Sequence, residues 1–143
     1  MNDNKILVTG ATGYVGGRLV PRLLFDGYRV KAVGRSMAKL KGRPWASNPN
    51  LELAREDVHD HASIRKALKD CSVAFYLVHS MYPEHKYFVG SDRKAANIFK
   101  DAARKSYLKR IIYLGGLGGD KPHASMHLKS REEVGRILLN TDK

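Results

Sequence analysis

The feature that most constrains this chain is an apolar run that ends in glycines and passes into an amphipathic segment, at residues 5–17 (KILVTGATGYVGG). The aliphatic residues before the glycines predict a buried strand, and from Tyr14 onward apolar residues recur at helical spacing. A strand, a glycine turn and a helix in this order bring unpaired backbone N–H groups and the positive end of a helix to one point. The stretch therefore predicts a phosphate-binding turn.

The three glycines have separate physical roles in this prediction. Their spacing is Gly10-x-x-Gly13-x-x-Gly16, one residue longer in its first gap than the usual dinucleotide fingerprint. We expect Gly10 to allow a sharp turn, Gly13 to leave room for a pyrophosphate beside the backbone, and Gly16 to let the helix lie close to the strand. The alternative is an ordinary glycine-rich loop, and the flanking strand and helix weigh against it.

The motif TGATGYVG at residues 9–16 resembles the fingerprint of the extended and atypical branches of the short-chain dehydrogenase/reductase superfamily. The resemblance continues over nearly the whole chain, through residues 34–36, 57–58, 76–80 and 113–116. It implies an NAD(P)-binding Rossmann domain over residues 1–143. The residues that it implies for cofactor binding are Gly10, Thr12, Gly13, Tyr14, Val15, Arg35, Ser36, Asp57, Val58, Leu77, Val78 and His79.

Strands and helices alternate along the chain, which predicts a three-layer α/β Rossmann fold with a five-stranded parallel sheet in the order 3-2-1-4-5. We expect the first helix to stop at Asp26-Gly27, Asp60 to cap a later helix, and Trp45 to anchor a polar connection over residues 37–50. Residues 70–72 are expected to form a turn. The predicted strands are Ile6–Val8, Tyr28–Val33, Leu51–Ala54, Val73–Val78 and Ile111–Leu114, and the last helix is His127–Leu139.

The end of the second strand predicts the cofactor. About twenty residues after the glycine turn, a fold that prefers NAD usually places an acidic residue for the ribose 2′-hydroxyl. Here Arg35 and Ser36 offer a planar cation and a hydroxyl, which suit a 2′-phosphate. We therefore predict NADP(H), with NAD(H) as the weaker ligand. Asp57 matches the family position near the adenine amino group, although an acidic residue that merely ends a strand is an equally simple interpretation.

The catalytic residues that the resemblance implies are changed in this chain. Members that transfer hydride use a Ser or Thr after the fifth strand and a Tyr-x-x-x-Lys pair on the next helix. Gly115 and Gly116 stand where serines are usual, and His127 and Arg131 take the tyrosine and lysine positions. Because they are one helical turn apart, His127 can serve as an acid or base beside a fixed cation. Alternatively, Arg131 only binds ribose or phosphate and His127 lines a pocket. Weaker candidates for proton transfer are Tyr76, Ser80 and Tyr82.

The superfamily continues with a sixth and a seventh strand and a substrate-binding part, which do not follow Lys143. We expect either a fragment, truncated before the last strands, or a minimal cofactor-binding module. The leading interpretation is the NADP(H)-binding domain of an oxidoreductase or epimerase-like enzyme whose small-molecule substrate is unknown. The alternative is a non-catalytic dinucleotide-sensing or assembly module, which the changed Ser, Tyr and Lys favour.

The composition of the chain limits the classes of ligand that we expect it to bind. The net charge is +12, but its 26 lysines and arginines are scattered through every segment, which argues against a nucleic-acid surface and fits an anionic cofactor. His59 with His61 and His123 with His127 have metal-like spacing, but they lack a carboxylate or cysteine partner pattern, so we expect no metal.

A single cysteine, Cys71, excludes an internal disulfide and fits a reducing compartment. The N-terminus lacks a signal-peptide pattern, and no apolar run is long enough to span a bilayer. We expect a cytoplasmic protein that does not enter a membrane and can form oligomers.

Overall fold

The computed structural model of the chain describes residues 4–79 and 88–143. Its strands and helices alternate in the order that the sequence predicts. They are β1 (Lys5–Val8), α1 (Tyr14–Phe25), β2 (Arg29–Gly34), α2 (Met37–Lys41), β3 (Leu51–Arg55), α3 (His61–Leu68), β4 (Cys71–Tyr76), α4 (Phe88–Arg104), β5 (Arg110–Tyr113) and α5 (Met126–Leu139).

The five strands form one parallel sheet in the order β3-β2-β1-β4-β5, which confirms the predicted topology. β1 is central, and Ile6 lies opposite Val30 on one side and Val73 on the other. The strand order reverses between β1 and β4, because the chain first winds outward through β2 and β3 and then returns. In open parallel sheets a ligand binds at the carboxyl ends of the strands on either side of such a reversal.

Apolar side chains cover both faces of the sheet and make three layers. On one face, Val20 and Leu24 of α1 and Leu40 of α2 pack with Val8 and Ala32. The opposite face is covered by α3, α4 and α5. Its buried cluster includes Leu7, Val33, Ile64, Leu68, Ala74, Tyr76, Phe99, Val134 and Leu138. Because both faces are buried, the inner strands are mostly apolar, with buried Lys31 of β2 as an exception, instead of alternating regularly with polar residues.

The predicted ends of α1 and start of α3 are confirmed. Asp26 caps α1, and Gly27 follows with a φ of +84°, a left-handed conformation that glycine adopts without strain. At α3, the carboxylate of Asp60 accepts a hydrogen bond from the Ala62 backbone N–H at 3.1 Å. These caps satisfy backbone groups that a helix end leaves unpaired.

Two predictions about local structure were wrong. Residues 37–41 form the helix α2 and not a polar connection, because Ser36 caps its first turn and Leu40 is fully buried. The fourth strand begins at Cys71, two residues before the prediction, and it ends at Tyr76. Asp70 alone makes the preceding turn in a left-handed conformation (φ +63°), so Cys71 and Ser72 already lie in the sheet.

Candidate functional site

The glycine turn is fixed to the carboxyl end of β4. Thr9 is fully buried; its hydroxyl donates to the Phe75 carbonyl at 3.1 Å and accepts from the Leu77 backbone N–H at 3.0 Å. Gly10 follows with a φ of +63°, and a Cβ at this position would lie 2.9 Å from the Leu77 carbonyl oxygen. The turn therefore has the sharp geometry expected of Gly10, and it is held against β4 by the hydrogen bonds of the Thr9 hydroxyl.

The helix α1 starts directly beside this turn. A Cβ at Gly16 would lie 2.3 Å from the Gly10 carbonyl oxygen, so only glycine permits this approach. Gly13 is the N-cap, and no side chain of the described residues caps the helix end. The first-turn N–H groups, including those of Tyr14 and Val15, consequently lack intrahelical acceptors. With no acidic residue in the first turn, this helix end can bind an anion.

Thr12 connects the turn with the end of β2. A Cβ at Gly34 would contact the Thr12 side chain, 3.5 Å from Cγ2 and 3.7 Å from Oγ1. Arg35 follows Gly34 and its side chain is exposed. The Ser36 hydroxyl accepts from the Lys39 backbone N–H at 3.2 Å, which occupies a lone pair and leaves its own proton available for donation. Arg35 and Ser36 are thus brought to the same edge of the sheet as the glycine turn.

The segment after α2 packs against this turn, which the sequence did not predict for Arg43. Its guanidinium Nη2 donates to the Thr12 carbonyl oxygen. Trp45 donates from its indole Nε1 to the Gly17 carbonyl at 3.2 Å, which agrees with its predicted role as an anchor. The connection has no periodic pattern, so an arginine within it gives no local signal of a long-range contact.

Asp57 lies just beyond β3, as predicted, and has a local structural role. Its carboxylate Oδ1 accepts from the His59 backbone N–H at 2.9 Å, and its own N–H donates to the Ser63 hydroxyl at 2.8 Å. A small groove of about 300 Å³ is lined by Arg55, Asp57, Asp60 and Ser63. The second carboxylate oxygen of Asp57 remains able to accept a proton donor such as an amino group. Val58 packs at the margin of the core.

Leu77, Val78 and His79 extend from the carboxyl end of β4. Leu77 and Val78 are partly buried, whereas His79 is exposed. Desolvation and the guanidinium of Arg131 lower the pKa of His79, and the Asp92 carboxylate acts in the opposite direction. These groups from β4, α4 and α5 are therefore within electrostatic reach of one another at the end of β4.

The helix α5 brings His127 and Arg131 to this end of the sheet. His127 is exposed and Arg131 is half-buried, one turn apart on the helix. The Tyr113 hydroxyl, at the end of β5, donates to the Arg131 carbonyl at 3.1 Å and so fixes α5 to the sheet. The electrostatic interaction with His127 also lowers the pKa of His79. The two residues thus meet the sheet edge where the turn and His79 lie.

Asp92 of α4 is a further polar residue near this end, and the sequence interpretation did not include it. Asp92 is only 8% exposed, and its Oδ2 accepts a hydrogen bond of 3.3 Å from the buried Ser130 hydroxyl. An acidic residue in the second turn of an amphipathic helix is usually exposed. Only the packing of α4 against α5 reveals that this one is buried.

Of the three weaker candidates for proton transfer, only Tyr76 lies within the described residues. Tyr76 is 1% exposed, with its ring edge packed on Phe99 at a centroid distance of 4.9 Å. Burial raises the pKa of Tyr76, and the nearby carboxylates of Asp92 and Glu56 raise it further. These observations weigh against proton exchange with a ligand at the surface. Ser80 and Tyr82 lie outside the described residues.

Residues 4–79 and 88–143 contain no group of three or more His, Cys, Asp or Glu side chains that could hold a metal ion. No helix within these ranges is long and apolar enough to cross a membrane.

Comparison with known proteins supports a dinucleotide site. A family model described as NAD(P)H-binding matches residues 10–142. Dihydroflavonol 4-reductase from Hordeum vulgare is 28% identical over an alignment of 127 residues that covers 82% of this chain and 36% of the reductase. The chain thus spans about a third of the length of the curated relatives that it matches.

Solved structures share the fold. The structure of Pen from Bacillus thuringiensis superposes with a TM-score of 0.85 at 14% identity, covering 97% of this chain and 45% of Pen. Citrobacter sp. triphenylmethane reductase complexed with NADP(H) has a TM-score of 0.76 at 21% identity, with 96% and 46% covered. The Bordetella bronchiseptica enzyme WbmH in complex with NAD+ has a TM-score of 0.77 at 19% identity, with 96% and 52% covered.

Proposed function

The chain belongs to the NAD(P)H-binding family of the short-chain dehydrogenase/reductase superfamily, and from this premise we propose that residues 1–143 form a single domain that binds NADP(H) in preference to NAD(H). The preference for NADP(H) is supported by the position of Arg35, whose exposed guanidinium follows directly after β2. The sequence between Asp26 and Glu52 contains no carboxylate that would repel a 2′-phosphate. A phosphate can accept two charge-assisted hydrogen bonds from one guanidinium.

The cofactor runs along the carboxyl ends of the strands in this proposal. Its pyrophosphate lies on the first-turn N–H groups of α1, where Gly13 leaves open space. Its adenosine lies toward the ends of β2 and β3, beside Arg35 and Asp57. The nicotinamide then points toward Leu77, Val78, His79 and α5. The placement follows from the open helix end, because the negative charge of the pyrophosphate is most stable there.

The change Arg35→Ala tests the cofactor preference. We expect NADPH affinity to fall by about 10- to 150-fold, the equivalent of about 1.5 to 3 kcal/mol for a charge-assisted contact, with NADH affinity nearly unchanged. Titration calorimetry at fixed salt measures both, since the net charge of +12 attracts either anion. The exposed Arg29 at the start of β2 gives a control, Arg29→Ala, with the same loss of charge. Equal losses for both cofactors in Arg35→Ala would contradict the NADP preference.

The protein is proposed to act as a reductase or epimerase-like enzyme on a small carbonyl or hydroxyl compound, like the reductases that the chain resembles. His127 would be its proton donor or acceptor, and Arg131 would orient the cofactor ribose or a phosphate. The support is their common position on α5 beside His79. If the protein reduces a member of a carbonyl panel, His127→Ala should lower kcat strongly. An unchanged kcat in His127→Ala would show that another group transfers the proton.

A non-catalytic dinucleotide sensor or assembly module is the second candidate. It is favoured by Gly115 and Gly116, which stand where catalytic serines are usual in the superfamily. Tight NADPH binding without hydride exchange across the carbonyl panel would support this candidate.

We also propose that the protein is cytoplasmic, because its one cysteine fits a reducing compartment.

A further inference from the structure

We propose that Arg43 is a second specificity-determining residue for NADP(H), which binds the 2′-phosphate together with Arg35. The inference rests on the proposed function, because it assigns a further residue to the same cofactor site. It starts from a long-range contact between the segment after α2 and the glycine turn.

The side chain of Arg43 is fixed over the turn. Its Nη2 donates to the Thr12 carbonyl oxygen, and its Nη1 lies 3.3 Å from where a Cβ on Gly17 would be. Two residues later, the Trp45 indole bonds the Gly17 carbonyl and holds the same segment in place. Arg43 is half-buried, unlike the exposed Lys39 and Lys41 before it. Its guanidinium is therefore ordered without a ligand, which lowers the entropy cost of binding one.

Thr12 contacts Arg43 and the residue before Arg35. The Thr12 carbonyl is bonded to Arg43, and the Thr12 side chain lies against Gly34, the residue before Arg35. The two arginines thus approach the turn from the two ends of the segment that contains α2. A phosphate at the end of β2 would lie between the turn and both cations.

Arg43 has the capacity for a further ligand. A guanidinium carries five N–H donors, and the one hydrogen bond found for Arg43 within residues 4–79 and 88–143 uses the Thr12 carbonyl. The surroundings are strongly basic: residues 27–51 contain six lysines and arginines and no aspartate or glutamate. No carboxylate in that segment competes for the guanidinium, so a doubly charged phosphate is the ligand that fits it.

The simplest alternative is that Arg43 only supports the turn, and cofactor selectivity separates the two roles. We compare Arg43→Met with Lys41→Met, which removes the same charge from an exposed residue two positions earlier. Calorimetric titration with NADPH, NADH, 2′,5′-ADP and 5′-AMP is made at fixed salt. For Arg43→Met we expect about 10-fold weaker binding of NADPH and 2′,5′-ADP, with less than about 3-fold change for NADH and 5′-AMP. Lys41→Met should change all four by less than about 3-fold.

Equal weakening of NADPH and NADH in Arg43→Met would mean that Arg43 acts through the turn, and it would overturn the inference. So would unchanged binding of all four ligands. If Arg43→Met does not fold, Arg43→Gln, which keeps a donor for the Thr12 carbonyl, gives the same comparison with the same two outcomes. A selective NADPH loss in Arg35→Ala without one in Arg43→Met refutes this inference alone. Wild-type protein without NADPH preference refutes the proposed function itself.

Discussion

Among single residues, Gly13 is the glycine that tests phosphate binding without disturbing the fold. A Cβ at Gly10 or Gly16 would lie within 3.0 Å of backbone atoms, whereas a Cβ at Gly13 meets only the Gly10 carbonyl oxygen, at 3.2 Å. Gly13 also has an ordinary φ of −77°. We therefore expect Gly13→Val to remove dinucleotide binding, because its branched side chain fills the phosphate space, while thermal unfolding stays close to wild type.

The control for this change is Gly13→Ala, which adds one methyl group and should weaken dinucleotide binding less. Fluorescence titration with NADPH measures affinity, and circular dichroism shows that each variant is folded. Unchanged affinity in a folded Gly13→Val protein would contradict the assignment of the turn as the pyrophosphate site.

Glu56, at the end of β3, makes stability depend on pH. It is 2% exposed, its Oε1 has no hydrogen-bond partner within the described part of the chain, and burial together with the adjacent Asp57 charge raises its pKa to about 8. The folded state therefore holds this proton at a pH where the unfolded chain has released it. The contribution of Glu56 to the free energy of unfolding is fully present below the pKa that this carboxyl has in the unfolded chain. It is lost as pH rises from about 5 to 8, and the free energy of unfolding falls by up to about 1.4 kcal/mol per pH unit.

Glu56→Gln should remove this pH dependence, since the amide cannot ionise. Urea unfolding of both proteins between pH 5 and 8 gives the free energy of unfolding, and the difference between them isolates Glu56 from other titrating groups. Parallel curves for the two proteins would show that Glu56 does not hold a proton in the folded state.

Among the elements, the C-terminus of α3 is capped by the side chain of a lysine in the sheet. Lys31 of β2 is 4% exposed, and its Nζ donates to the carbonyl oxygens of Lys66, Ala67 and Lys69 at 3.4, 3.3 and 3.1 Å. It also pairs with Glu52 at 3.3 Å. A cation at this end satisfies unpaired carbonyls and opposes the negative end of the helix dipole.

Lys31→Met keeps the aliphatic stem and removes the charge, and should lower the free energy of unfolding by about 2 to 4 kcal/mol. Three carbonyl groups lose their donor, and Glu52 keeps its ion pair with Lys5 but loses the one with Lys31. Denaturant unfolding measures the loss. The exposed Lys39→Met is the matched control and should change stability by less than about 0.5 kcal/mol. A similar small change in Lys31→Met would mean that water replaces the ammonium group.

The elements that sequence patterns predicted are those with a repeated apolar signal. The strand order, α1 and α5 follow from such repeats, and Asp60 is an ordinary cap. The helix α2 was missed because five residues with one buried side chain, Leu40, give no periodicity. The start of β4 was displaced because Asp70 adopts a left-handed turn that usually indicates glycine.

At the scale of the whole molecule, the candidate site joins elements from both layers around the sheet. The turn contacts β4, α2 leads to Arg43, and α5 brings Arg131. A dinucleotide bound as proposed would therefore contact parts that separate on unfolding. Binding to the folded state alone stabilises it by about 2.7 kcal/mol when the ligand is at 100 times its Kd. We expect NADPH to raise the Tm more than NADH at equal concentration, measured by differential scanning fluorimetry. Identical shifts would contradict the preference.

The site was predictable where local sequence sets it and unpredictable where distant segments meet. The turn and Arg35 follow directly from strand and helix ends. Arg43 and Asp92 depend on contacts across the fold, with Thr12 and Ser130, that no spacing encodes. Long-range hydrogen bonds such as these leave no periodic trace in a single sequence.

Because Cys71 is buried, the wild-type protein is suited to site-specific labelling at cysteines introduced elsewhere. Cys71 is the one cysteine of the sequence, it is 1% exposed, and burial raises the pKa of its thiol to about 11. Thiol reagents attack the thiolate, so maleimide dyes and spin labels should leave the folded wild-type protein unmodified. A cysteine introduced at an exposed position, such as Lys41→Cys on α2, would then carry a single label beside the cofactor edge. Distances from such labels could follow the approach of the α2 segment to the glycine turn in solution.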